Sequence, residues 1–140
     1  MKIKIVSRRG ILPEYETRGS AGMDLRSEEA YLINPGERAL IPTGIFIELP
    51  EGYEAQVRAR SGLSINHGIG LVNGVGTIDS DYRGEIKVPL INWGAAPYKI
   101  EKGDRIAQMI IARYERISWE SVEELGETMR NEKGFGSSGK

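Results

Sequence analysis

Tyr31-Leu32-Ile33-Asn34-Pro35-Gly36-Glu37-Arg38-Ala39-Leu40-Ile41 reads as strand, turn, strand. Proline presets φ at the first central position of the turn, and glycine takes the positive φ needed at the next. Apolar, β-branched residues resume at Ile45-Phe46-Ile47-Glu48-Leu49 and stop at Pro50-Glu51-Gly52, after which Tyr53 to Ala59 alternates again. Toward the N-terminus, Lys2-Ile3-Lys4-Ile5 alternates strictly, so both isoleucines face inward and both lysines outward. Toward the C-terminus, Ile86 to Ile91 is a further strand closed by Asn92-Trp93-Gly94, and the turn at Glu101-Lys102-Gly103-Asp104 leads into a buried strand over Arg105 to Ala112. Turn signals return roughly every ten residues, and no long segment carries a 3.6-residue period. The class this predicts is all-β, a sandwich or barrel.

Composition agrees. Eighteen of the 140 residues are glycine, nearly twice the usual ~7%. With no Gly-X-Y period, that surplus belongs to tight turns. Nineteen basic against twenty acidic residues leave a net charge of −1, which argues against a nucleic-acid or membrane-surface partner. The chain has no cysteine and one histidine, His67, so a disulfide framework, a thiolate nucleophile and a Cys- or His-rich metal site are excluded. Apolar runs are short and the N-terminus lacks a hydrophobic leader core, so a cytoplasmic location is expected.

Two stretches break the strand rhythm. Ser61-Gly62-Leu63-Ser64-Ile65-Asn66 can open one short helix that Gly68 ends, and Ser118 to Leu125 fits either a brief helix or an extended arm. From Gly126 onward the chain is polar and glycine-rich, with Phe135 its one large aromatic.

The densest cluster of unusual residues is Asn73-Gly74-Val75-Gly76-Thr77-Ile78-Asp79-Ser80-Asp81-Tyr82-Arg83-Gly84-Glu85. Its plain reading is a glycine-assisted hairpin whose carboxylates solvate the turn. Its sharper reading is a pocket. Splayed arms offer backbone donors and acceptors to a flat heterocycle, Tyr82 can lie against a sugar, and an aspartate can deprotonate a water. Asp79 and Asp81 stand at i and i+2 on one strand face, so spacing does not choose between them. Arg58-Ala59-Arg60-Ser61-Gly62 suits an anion, through the Arg60 fork and backbone N–H groups, although serine-glycine at a helix start is also ordinary N-capping. Arg130-Asn131-Glu132-Lys133-Gly134-Phe135-Gly136-Ser137-Ser138-Gly139 suits a closing lid, its aromatic stacking on a base; a frayed terminus reads the same way. Asp24 in Ala21-Gly22-Met23-Asp24-Leu25 fits a structural Asx turn. Gln108, the polar residue in Arg105-Ile106-Ala107-Gln108-Met109-Ile110, needs a partner if buried.

In this order, segments 21–27, 60–64, 73–85, 103–110 and 130–138 resemble the five motifs of the homotrimeric dUTP diphosphatases. Gly76-Thr77-Ile78-Asp79-Ser80-Asp81-Tyr82-Arg83-Gly84 carries most of the likeness. The last segment departs from the family pattern, with Asn131 and Lys133 where glycine is common and Ser138 where threonine is. The resemblance implies a distorted jelly-roll-like β-barrel over 1–125, with one short helix and a flexible C-terminal lid over 126–140. It also implies hydrolysis of dUTP to dUMP and pyrophosphate with Mg2+, in sites shared between the chains of a homotrimer. Carried onto this sequence, it selects Asp79 to activate water at the α-phosphorus and Tyr82 to pack under the deoxyribose. Asn73, Gly76, Thr77, Ile78 and Lys87 would line the uracil slot. Arg60, Ser61, Gly62 and Gln108 would hold phosphate oxygens, while Arg130, Phe135, Ser137 and Ser138 would close over the ligand. Asp24 would help place the metal ion through water.

A triphosphate needs fixed donors and a divalent cation rather than a covalent nucleophile, which fits a chain without cysteine. The rival readings are a dCTP deaminase of the same fold and a non-catalytic nucleotide-binding regulator. The deaminases rely on a glutamate in the pocket motif, where this chain has Asp79; a regulator has no need of Asp79, Tyr82 and Phe135 together.

Overall fold

The computed structural model describes residues 1–132. In chain order these form β1 (Lys4–Ser7), β2 (Met23–Arg26), β3 (Tyr31–Ile33), β4 (Arg38–Glu48), β5 (Tyr53–Arg58), α1 (Ser61–His67), β6 (Ile69–Leu71), β7 (Val75–Ile78), β8 (Ile86–Asn92), β9 (Tyr98–Ile100) and β10 (Arg105–Arg113). All pairings are antiparallel. One sheet has the order β1-β4-β8-β6, a second the order β2-β10-β5-β7, and β3 and β9 form a two-stranded ribbon.

The sheets share one core. Ile41 and Ile47 of β4 and Val88 and Leu90 of β8 cluster with Leu25, Val57 and Met109 of the second sheet, and Ile33 and Ile100 of the ribbon join them. Strand alternation supplies these residues: β8 reads buried-exposed-buried from Ile86 to Val88, and Lys4 is exposed beside a partly buried Ile5. The architecture is the all-β, jelly-roll-like one expected, with one short helix among the described residues. Its sheets keep open edges at β1, β6, β2 and β7 rather than closing into a continuous barrel.

Three local expectations are modified. The turn after Ile33 forms, with Glu37 N–H donating to the Asn34 carbonyl at 3.0 Å and Gly36 at φ 78°, yet β3 and β4 do not pair. Buried Asn92 occupies the turn instead. Its backbone N–H donates to Glu37 O (3.1 Å), its carbonyl accepts from Gly36 N–H (2.7 Å), and its Nδ2 donates to Ile33 O (2.8 Å). Next, the apolar stretches on either side of Pro42 belong to one strand of 11 residues. A register shift between Pro42 and Ile45, with Gly44 at φ 67°, carries the ladder past the proline, which has no N–H to give it. Finally, Ser61 is not the helix cap. Arg60 caps α1 in extended conformation without a side-chain bond, Ser61 is the first helical residue, and Gly68 ends the helix at φ 69° as expected.

After Arg113 the described chain has neither helix nor strand, so the brief helix allowed over Ser118 to Leu125 is not formed, and Trp119 there is exposed. No helix among the described residues is long and apolar enough to cross a membrane.

Candidate active site

A cleft of about 510 Å³ opens between β2, the start of α1 and β10. Asp24, Arg60, Ser61, Gly62 and Gln108 line it, so three of the segments marked in the sequence converge here. Antiparallel register explains the meeting: on the central strand β10, Gln108 lies opposite Asp24 of β2 on one side and Arg58 of β5 on the other. Asp24 is therefore a strand residue and not the acid of an Asx turn. Its Oδ1 accepts Arg60 Nε at 3.1 Å and its Oδ2 accepts Arg105 Nη1 at 3.2 Å. Gln108 has its partner inside the fold, Nε2 donating to Ala59 O at 3.0 Å. A Cβ at Gly22 would come within 2.5 Å of Gln108 Oε1, so the glycine makes room for that amide.

His67, the last residue of α1, also lines the cleft and packs on the Tyr98 ring, with centroids 4.8 Å apart. Burial pushes the Tyr98 phenol above its ordinary value and Asp104 adds to that, against an opposing effect of Arg60. The phenol therefore stays protonated at neutral pH. Arg105, Asn66, Glu14 and Glu16 complete the wall and were not singled out from sequence. For Arg105 a signal existed: a cation beside the turn of a strand otherwise read as buried.

The segment 73–85 is not a hairpin. Val75–Ile78 pairs with β5 in one sheet, whereas Ile86–Asn92 pairs with β4 and β6 in the other. The chain crosses between sheets through the Asp79–Tyr82 turn, in which Tyr82 N–H donates to Asp79 O at 3.2 Å. Because β7 is an edge strand, one side of its backbone around Gly76, Thr77 and Ile78 is left without a ladder partner. Asn73 lies in the preceding turn, its Nδ2 3.5 Å from where a Gly76 Cβ would stand. Lys87 is an exposed residue of β8, on the far side of the crossing. Asp79 is exposed, and Tyr82 is held by its own hydroxyl, which donates to Glu85 O at 3.0 Å.

One chain does not bring the two halves together. Asp79, Ser80 and Asp81 border a separate concavity of about 570 Å³ with Glu51, Arg83 and Arg116. Gln108 lies opposite Arg58, while Ile78 lies opposite Ala55, three residues earlier in β5. That offset is roughly 10 Å along the strands plus two interstrand spacings of about 4.8 Å. Of the remaining marked residues, Arg130 stands near the end of the described chain. Asn131 adopts φ 42°, a left-handed conformation that asparagine tolerates where glycine is usual, and it exchanges hydrogen bonds with Thr128 (Thr128 N–H to Oδ1 at 2.7 Å, Asn131 N–H to Oγ1 at 2.9 Å). Phe135, Ser137 and Ser138 lie outside the described residues.

The profile of the dUTPase family matches residues 8–139. The chain is 58% identical over 142 residues to the deoxyuridine 5′-triphosphate nucleotidohydrolase of Finegoldia magna, with 99% of each covered. It is 59% identical over 138 residues to that of Rickettsia felis, covering 97% of this chain and 93% of the relative. Among solved structures, a point mutant of the Staphylococcus bacteriophage 80alpha dUTPase with dUpNHpp superposes with a TM-score of 0.90 at 28% identity, covering 99% of this chain and 98% of the other. A mutant dUTPase from phage phi11 of S. aureus, described with a structural Mg(II) ion, gives 0.82 at 25% identity, covering 89% of this chain and 98% of the other. With its cleft, its crossing turn and its full-length likeness all pointing one way, this chain belongs to the dUTPase family.

Proposed function

We propose that the chain hydrolyses dUTP to dUMP and pyrophosphate by attack of water on the α-phosphorus, in the cytoplasm. One observation carries this reading: residues far apart in sequence converge on one polar, arginine-bearing cleft in a chain whose whole length aligns with dUTP nucleotidohydrolases. Arg60, Ser61, Gly62 and Gln108 hold phosphate oxygens. Arg60 supplies a planar fork, and the unbonded N–H groups of the first helical turn supply further donors. Asp79 orients and activates the water; a carboxylate is a weak base, so positioning carries much of its effect. Tyr82 packs under the deoxyribose, where a 2′-hydroxyl meets its ring. Uracil pairs with the open edge of β7 near Gly76, Thr77 and Ile78, with Asn73 and Lys87 at the rim of the slot. A thymine methyl does not fit such a slot, and cytosine presents an amine where uracil presents an acceptor.

Because the Asp79 turn and the phosphate cleft lie apart in one chain, the complete site forms between copies, and we infer a homotrimer with shared sites. Exposed Trp119, Leu125 and Met129 on the segment after β10 support this, since such apolar side chains are covered when another copy packs on them. Residues 126–140 act as the lid over the 1–125 domain, closing through Arg130, Phe135, Ser137 and Ser138.

The residues present suit Mg2+ held mainly by substrate oxygens and water. Among the described residues no group of three or more His, Asp or Glu side chains forms a metal cage, and both Asp24 oxygens already accept from arginines. Asp24 would therefore meet the ion only through water. Bound with the triphosphate, Mg2+ neutralises charge and helps fix its conformation.

The test is a dNTP panel with Mg2+, read for pyrophosphate and ammonia, alongside sizing by light scattering. Pyrophosphate from dUTP alone and a trimer mass are expected. Ammonia and dUTP from dCTP would replace the reading with deamination, and binding without turnover would replace it with a regulator.

A further inference from the structure

We propose that Arg83 is a positioning residue for the Asp79–Tyr82 turn: its guanidinium clamps the backbone on both sides of Asp81 and so fixes where Asp79 and Tyr82 stand. This rests on the dUTPase reading and adds a role to the same site.

The first observation is how little else holds the turn. Between Ile78, the last residue of β7, and Ile86, the first of β8, the chain passes from one sheet to the other without a ladder partner. Its backbone contributes one hydrogen bond of its own, Tyr82 N–H to Asp79 O at 3.2 Å, at the long end of the usual range. Asp79, Asp81, Tyr82 and Arg83 are all exposed, so the core does not fix them either. Ordering a backbone costs conformational entropy, and this stretch has few packing contacts to offset it.

The second observation is the clamp itself. Arg83 Nη1 donates to Ser80 O at 2.7 Å and to Tyr82 O at 3.0 Å. A guanidinium nitrogen holds its N–H groups in a fixed plane, so both carbonyls are tied to one rigid point. Neither carbonyl has another hydrogen-bond donor among the described residues. Both bonds are charge-assisted, which makes them the stronger kind. Together with the Tyr82 N–H bond, they close three hydrogen bonds over the four residues of the turn.

The third observation is charge. Arg83 borders the same concavity as Asp79 and Asp81, where a cation offsets the repulsion between two carboxylates held two residues apart. Among the described residues it forms an ion pair with neither, so the Asp79 oxygens stay available to a water. Arg83 also borders a concavity over Phe46 and Glu48, which places it between the turn and β4. A general base depends on geometry before basicity, and a group that fixes the backbone beside it therefore acts on the rate.

Arg83→Gln and Arg83→Lys are made in the full chain, alone and combined with Asp79→Asn. Pyrophosphate release gives kcat and KM for dUTP, and hydrogen exchange of the Tyr82 amide is followed in the ligand-free protein. Turnover by the parent chain is read first; its absence sinks the proposed function, while the amide exchange still tests the clamp. Arg83→Gln should lower kcat about 10-fold, within the ~10²-fold that a misplacement of about 1 Å can cost. It should raise KM less than it lowers kcat, and speed Tyr82 amide exchange several-fold. The melting temperature should stay near the parent's, since the side chain is exposed. Combined with Asp79→Asn, the same substitution should change kcat by less than about twofold, because residues that act as a unit are not additive. Arg83→Lys should recover only part of the loss, keeping the charge without the planar fork. Parental kcat or parental amide exchange in Arg83→Gln overturns the clamp. An equal fold-loss with and without Asp79 overturns its link to the water-activating carboxylate, and full recovery by Arg83→Lys overturns the geometric role.

Discussion

Gly84→Ala isolates the placement of Tyr82 from every charged group in the site. A Cβ at position 84 would stand 2.9 Å from Tyr82 Cε2, and closer still to Cζ and the hydroxyl, whereas ordinary contact begins at 3.4 Å. The ring must therefore retreat by at least half an ångström at Cε2, the difference of those two distances, and further at its hydroxyl end. That movement breaks the 3.0 Å hydrogen bond from the hydroxyl to Glu85 O, which ties the ring across the turn. A net loss of about 1 kcal/mol of stability follows, the ordinary worth of such a bond. Activity should suffer more. A misplacement of the order of 1 Å can cost about 10²-fold, so kcat/KM for dUTP should fall about 10- to 100-fold. Tyr82→Phe is the control: it deletes the bond but keeps the ring in place, so its loss should be several-fold smaller. Pyrophosphate release gives the rates and a circular-dichroism melt gives the stability. A Gly84→Ala protein with parental kcat/KM, and an unshifted melt, would refute the packing argument and with it the role of Tyr82 under the sugar.

Further perturbations separate chemistry, closure and stability. Asp79→Asn should keep binding of a non-hydrolysable α,β-imido analogue of dUTP while kcat falls at least about 100-fold, the scale of a lost general base; parental turnover would remove Asp79 from the mechanism. Phe135→Ala should lower kcat/KM without changing the mass measured by light scattering, and kinetics like the parent's would leave the lid without a function. Asn92→Leu should destabilise the fold by about 3 kcal/mol in denaturant titration, because Ile33 O, Ala96 O and Gly94 N–H each lose a 2.8 Å partner in or beside the core. A loss well under 1 kcal/mol would mean that water replaces Asn92.

Much of this protein was legible residue by residue. Period-two alternation and turn residues are local, so Ile3 and Ile5, the run from Ile86 and the turn at Gly36 could be placed without knowing what they pack against. Gly68 likewise marked the end of α1, because a left-handed residue is favoured there. The side-chain chemistry of Asp79, Tyr82, Arg60 and Gln108 was also visible in order along the chain.

Partnership between distant segments was not. Whether Tyr31–Ile33 pairs with its neighbour or with Tyr98–Ile100 depends on where Asn92 arrives from β8, and no local pattern encodes that. The face on which Arg105 emerges depends on one extra residue in a ladder with β2, which is defined only when both strands are in register. The gap between Asp79 and Gln108 follows from strand order, set by burial of one shared core. Local chemistry thus determined what the residues can do, while long-range hydrogen bonding and burial, which act only between segments brought together, decided which of them do it in company.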